Sequence, residues 1–186
     1  MNARLLVLLA ALAGAGVQAQ HAQHPGHGAS PMPYAGMQDR EIKALSAEER
    51  GALLEGQGMG LALAAELNGY PGPVHVLELA DALQLTGEQR HATHQLMQAH
   101  KAEARELGAQ VLAAEGELDR AFAGRRIDDA EIARLTARIG ELQGRLRAAH
   151  LRTHLKQADL LTPQQVAKYQ QLRGYTTAAS GAEGKH

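Results

Sequence analysis

The 186-residue chain predicts an all-α protein of four to five helices, built on one long helical hairpin with short helices flanking it. Three observations carry that expectation. Two long segments, one from Leu85 to about Phe122 and one from Asp128 onward, repeat apolar residues at spacings of three and four. Two strings, Leu85-Thr86-Gly87-Glu88-Gln89 and Leu161-Thr162-Pro163-Gln164-Gln165, share the pattern L-T-x-x-Q and stand where helices should begin. No stretch alternates convincingly as a strand, and aromatic residues make up only 3% of the chain, which leaves a core of Leu, Ala and Val between closely packed helices.

Residues 1–19 have the pattern of a secretory signal. Arg4 gives a basic start, Leu5 to Val17 is apolar but too short to span a bilayer, and Val17-Gln18-Ala19 offers a cleavage site before Gln20. Residues 20–45 are of different composition. His21, His24 and His27 sit among Gln, Gly, Ala and Pro, a mixture that cannot build a core and is expected to be disordered. The tail, residues 176–186, is rich in Gly, Ala and Ser and carries the same expectation.

The helical body spans 46–175. Ser46 with Glu49 forms a capping box for a first helix running through Leu53, Leu54, Met59, Leu61 and Leu63 to Leu67. Gly51, Gly56, Gly58 and Gly60 weaken it, each by about 1 kcal/mol against Ala. Gly56 to Leu67 is nearly uncharged. Burial is the expectation for it, and an exposed apolar surface is the alternative. Asn68 to Pro73 is a breaker, and Val74 to Leu83 a short helix with Val76, Leu77, Leu79, Ala80 and Leu83 on its apolar face. Thr86 then caps the outgoing arm of the hairpin, whose stripe is Leu96, Leu107, Val111, Ala114, Leu118 and Phe122. Gly124 to Asp128 turns the chain. Asp128 and Glu131 restart it in capping-box fashion, and the return arm carries Ile132, Leu135, Ile139, Leu142, Leu146 and Ala149. The final helix, Pro163 to about Leu172, starts at the second L-T-x-x-Q, with Pro at the position where a missing N–H costs nothing and Leu161 and Val166 placed for a hydrophobic staple.

A doubled L-T-x-x-Q flanking a long hairpin behind a signal segment resembles the Spy/CpxP family of periplasmic proteins, which is related to heavy-metal sensors of the CnrX and ZraP type. The resemblance covers roughly residues 46–175 and rests on Leu85, Thr86, Gln89, Leu161, Thr162 and Gln165. It implies a bent hairpin, periplasmic location after cleavage behind Ala19, and a homodimer. A dimer also suits an elongated body in which each hairpin buries only one face by itself.

Composition excludes much. With no Cys, thiol catalysis, thiolate metal sites and disulfides are ruled out. The chain has a formal net charge of −1, and Arg4 is the only charged residue in the signal segment, so nothing suggests nucleic acid as a partner. There is no G-x-S-x-G, no phosphate-cradling loop and no H-E-x-x-H. Glu115, Glu117 and Asp119 have the pattern of a charged helix face, so no enzyme is expected.

Chemistry concentrates in the histidines, of which there are 10. His150 and His154 stand one turn apart on the return arm, so both can reach one ion. If Leu118 faces Ile132 across the hairpin, His100 lies opposite His150, Leu96 opposite His154, and His94 about one turn away. Residues His94, His100, His150 and His154 then gather near the open end as candidate ligands for Zn²⁺, Ni²⁺ or Cu²⁺. The alternative is a set of solvated surface histidines. Arg134, Arg138, Arg145 and Arg152, extended by Lys156, form a basic row on the return arm that could attract clients, or else a solvated face with acidic partners. The resemblance implies an ATP-independent refolding and anti-aggregation chaperone for unfolded or misfolded envelope proteins, with no cofactor required. The alternatives are a periplasmic heavy-metal sensor or metal-binding resistance protein, and an inhibitory regulator of an envelope sensor kinase.

Overall fold

The computed structural model describes residues 32–176; the expected signal segment, the His21/His24/His27 arm and the tail beyond Thr176 fall outside them. The all-α class holds, as a long bent helical hairpin with shorter flanking helices. The helices are α1 (Ala47–Glu55), α2 (Leu63–Glu66), α3 (Pro73–Glu78), α4 (Gly87–Ala123), α5 (Asp129–Asp159) and α6 (Pro163–Leu172), with a short 3-10 turn at Met37–Asp39. At 37 and 31 residues, α4 and α5 run about 55 and 46 Å and make the hairpin.

The capping residues act as their chemistry dictates. Ser46, Thr86 and Thr162 each accept the N–H of the residue three positions on, and Glu49, Gln89 and Gln165 each return a bond to the cap N–H. Asp128 forms only half of its expected box. It accepts from Glu131 N at 2.9 Å, while the Glu131 carboxylate turns away to Arg134.

Among the described residues there are six α-helices, because the expected first helix is two. Gly56 ends α1 in the left-handed region (φ 66°), and Gln57 N–H returns to Ala52 O at 2.9 Å. Met59 and Gly60 also take positive φ, so the helix cannot resume until Leu63. The third helix is shorter than expected, ending at Glu78, although Val76, Ala80 and Leu83 are buried as their spacing requires. The packed body also begins before Ser46. Ile42 is buried, Leu45 packs on the core, and Lys43 N donates to Asp119 Oδ1 at 3.2 Å, so the expected disordered arm is too long at this end.

Two apolar clusters hold the fold. One runs along the hairpin, where Leu107, Val111 and Ala114 meet Ile139, Leu142, Leu146 and Ala149, with Leu53 of α1 packed on top. Phe122, expected in this stripe, is instead exposed beside the turn. The second cluster lies at the open end and joins Val76, Ala80, Leu83 and Tyr169 to Leu85 and Leu161, the leucines of both L-T-x-x-Q strings. The α1–α4 crossing is close enough that a Cβ on Gly108 would sit 2.2 Å from Leu53 O.

The glutamines of the two strings do more than cap. Gln89 Nε2 donates to Gln165 Oε1 at 2.8 Å, and Gln165 Nε2 donates to Gln89 Oε1 at 3.0 Å. Each amide also donates to a chain carbonyl, Gln89 to Leu160 O and Gln165 to Leu83 O. Every donor and acceptor of the amide pair is thereby used, in a half-buried place where an unmet one costs about 1–3 kcal/mol. The two strings form one clasp that closes the open end of the hairpin.

Candidate functional site

Just inside that clasp lies a cavity of about 640 Å³. Its walls come from the Met97–Arg105 stretch of α4, the His150–His154 stretch of α5, and the chain between Glu55 and His75 that crosses over them. The hairpin register predicted from sequence is the one observed. His100 and His150 face each other with ring centroids 4.4 Å apart, inclined at 73°. About two turns farther toward the open end, Gln157 Nε2 donates to Thr93 Oγ1 at 3.2 Å across the same pair of helices.

These two imidazoles are poorly satisfied. His150 is 4% exposed, and its Nε2 has no hydrogen-bond partner; His100 Nδ1 is buried and equally unpartnered. Buried polar atoms without partners are uncommon, because each forfeits its hydration without return. Burial pushes the His150 imidazolium down to about 4, with the neighbouring His100 and His154 adding to the effect. Burial also lowers His100, against a smaller opposing pull from Glu103. Both rings are therefore neutral at pH 7, with lone pairs free to ligate.

His154 is on the same cavity but differently engaged. Its Nδ1 donates to Tyr70 O at 2.8 Å and stands 3.6 Å from Glu66 Oε2, which directs Nε2 toward Gly72. A Cβ at residue 72 would come within 3.2 Å of that nitrogen, so glycine there leaves room for the ring. Glu66 is the anchor of this corner. It accepts the Tyr169 hydroxyl on Oε1 and Gly72 N–H on Oε2, with Arg173 at 3.9 Å. Desolvation and the neighbouring carboxylate hold the Tyr169 hydroxyl protonated far above the ordinary tyrosine range.

The stretch Gly56 to Leu67 thus reverses its expected burial. Its only charged residue, Glu66, is buried, while Met59, Leu63 and Leu67 are about half exposed. Glu66 was not legible as a functional residue, because its partners Tyr169 and Arg173 lie about 100 positions away. Of the four candidate ligands, His100, His150 and His154 share the cavity, whereas His94 is exposed and does not line it. Among the described residues, no three His, Asp or Glu groups converge closely enough to hold one ion by themselves. What the structure offers an ion is the neutral His100/His150 pair, with one buried nitrogen on each ring left without a partner.

The basic row is largely neutralised. Arg134 and Arg138 both reach Glu117, Arg134 also pairs with Glu131, and Arg152 stands 4.0 Å from Glu103. Arg145 makes no ion pair among the described residues, which leaves it as the free cation of the four. Among the described residues no helix is long and apolar enough to cross a membrane.

Comparison with known proteins adds one result. A family model described as heavy-metal resistance matches residues 59–168, which takes in the hairpin, both L-T-x-x-Q strings and the cavity lining from Met59 onward. No curated protein and no solved structure matches the chain.

Proposed function

The chain belongs to the heavy-metal resistance family, and from that premise we propose that it is an exported, periplasmic metal-binding protein that senses or sequesters a heavy-metal cation at the His100/His150 pair. The observation that carries this reading is the pair itself. Two neutral imidazoles from opposite arms of the hairpin meet with ring centroids 4.4 Å apart, and a buried nitrogen of each lacks a partner. An ion would satisfy both atoms at once and tie α4 to α5. His154 lines the same cavity as a further nitrogen donor, oriented by its bond to Tyr70 O as ligating histidines are oriented by a second hydrogen bond. Titration of the protein with metal, followed by calorimetry, tests this directly. The expected result is one equivalent bound with high affinity, abolished by His100→Ala with His150→Ala. Retention of that equivalent in the double variant rejects the site.

A second reading, a Spy/CpxP-type chaperone without nucleotide, is favoured by one observation. Leu54, Met59, Leu63, Leu67 and Val74 are all about half exposed on the chain that crosses the hairpin, an apolar surface for unfolded clients. Arg145 is the cation left to attract acidic segments of such clients. Light scattering from an aggregating client separates the two readings. Suppression in chelator favours chaperoning by the helical body, and suppression only after Zn²⁺ makes the His pair a switch. No effect in either state leaves metal binding as the function.

A further inference from the structure

We propose that the cavity selects a soft monovalent cation, Cu⁺ or its analogue Ag⁺, held by His100 and His150 together with the thioethers of Met59 and Met97. This rests on the metal-binding reading above and names the ion class for the same site.

The count of hard donors comes first. Zn²⁺ in protein sites takes four ligands, and Ni²⁺ prefers at least as many. The described residues bring no third His, Asp or Glu close enough to the pair. Glu66, the cavity carboxylate on that side, is already committed, since it accepts from Tyr169 and from Gly72 N–H, and His154, though its Nε2 is free, does not complete a converging set of three with the pair. A d¹⁰ monovalent ion accepts two to four ligands and favours thioether and imidazole.

The sulfurs come second. Met97 and His100 are one turn apart on α4, so they share a helix face, and both line the cavity. Met59 lines it from the opposite wall. Its neighbour Gly58 lies against the His150 ring, a Cβ there standing 3.8 Å from Nδ1. Met59 itself holds φ 42°, a left-handed conformation that non-glycine residues seldom adopt. Such local strain persists where the surroundings impose it, and here it holds Met59 in the segment that lines the cavity next to Gly58.

Charge comes third. The desolvation cost of an ion grows as the square of its charge, so a divalent cation gains more than a monovalent one from anionic groups beside it. The ionised walls offer Glu55 and Glu66 against Lys101 and Arg105, which cancel. With only neutral donors at the pair and no surplus negative charge, one positive charge is accommodated at far less cost than two.

The test is titration of the intact protein with Ag⁺ by calorimetry, and with Cu⁺ under reducing, oxygen-free conditions against a chromogenic Cu⁺ chelator. Zn²⁺ and Ni²⁺ are titrated alongside. The variant is Met59→Leu with Met97→Leu, which keeps volume and apolarity, and circular dichroism checks its fold. We expect Ag⁺ and Cu⁺ to bind more tightly than Zn²⁺ and Ni²⁺. The double Leu variant should weaken Ag⁺ by at least about tenfold and leave Zn²⁺ unchanged. Unchanged Ag⁺ affinity in that variant, or tighter Zn²⁺ or Ni²⁺ binding that depends on His100 and His150, overturns the monovalent assignment and leaves the metal-binding reading intact. Binding of every ion undiminished by His100→Ala with His150→Ala overturns both.

Discussion

His150 shows how a single side chain can be both a liability and a tool. Folding strips its ring of water and gives its Nε2 nothing in return. Protonation is then disfavoured, with the imidazolium held down to about 4 against an unfolded value near 6.5. Between those values the unfolded chain binds more protons than the folded one, so stability rises with pH across that window. The metal-free protein is therefore expected to have its full stability above about pH 6.5 and to lose it progressively as the pH falls toward 4, with His100 acting in the same direction. His154, His75, Glu55, Glu66, Glu103, Lys101 and Arg105 are the other titratable groups around the rings and their cavity. Thermal unfolding in chelator at pH 7.5, 6 and 5 measures this, and His150→Leu should flatten the profile. An equal drop in that variant would assign the pH dependence elsewhere. Glu66 supports a second expectation at this scale. Tyr169→Phe removes its hydroxyl partner while keeping the ring, so about 1–3 kcal/mol should be lost in urea unfolding. The opposition of His100 and His150 was legible from the spacing of apolar residues on two helices. The burial of Glu66 was not, because no local pattern marks a carboxylate whose partners come from another helix.

The helices that open on a capping residue begin where the sequence says and join in a way it does not say. Ser46, Thr86 and Thr162 were identifiable as caps because the capping box is a contact between residues three apart. The reciprocal bonding of Gln89 and Gln165 spans 76 positions and appears only when the N-terminal ends of α4 and α6 meet. Each of Gln89→Ala and Gln165→Ala should cost about 1–2 kcal/mol. In a double-mutant cycle their coupling should exceed about 0.5 kcal/mol; strict additivity would mean two independent caps and no clasp. The α1–α4 crossing gives a sharper expectation. Because a Cβ at residue 108 meets the Leu53 carbonyl, Gly108→Ala should push α1 off the hairpin, although Ala is the better helix former. A loss of about 1–3 kcal/mol, with faster amide exchange in α1, is the expected readout. A stabilised variant would show that α1 yields without cost.

For the whole molecule, an ion bound only by the folded state stabilises it by mass action. At a free concentration 100 times the dissociation constant the gain is about 2.7 kcal/mol, seen as a rise in Tm that chelator reverses. The rise should vanish in His100→Ala with His150→Ala, and it should be larger for Ag⁺ than for Zn²⁺ if the monovalent assignment holds. A Tm that ignores every ion would leave the exposed apolar surface of the crossing segment as the feature with a function to explain.

The sequence by itself determined the helical class, the caps, the long hairpin and its register, since these follow from residues one to four positions apart and from one continuous apolar stripe on each arm. From that register it also placed His100 against His150. Tertiary structure alone decided that the first helix breaks at Gly56, that Glu66 turns inward, that two glutamines clasp, and that Met59 and Met97 share a cavity with the paired histidines. Those outcomes depend on which distant groups satisfy one another once water is excluded, and such a balance is struck only in the assembled fold.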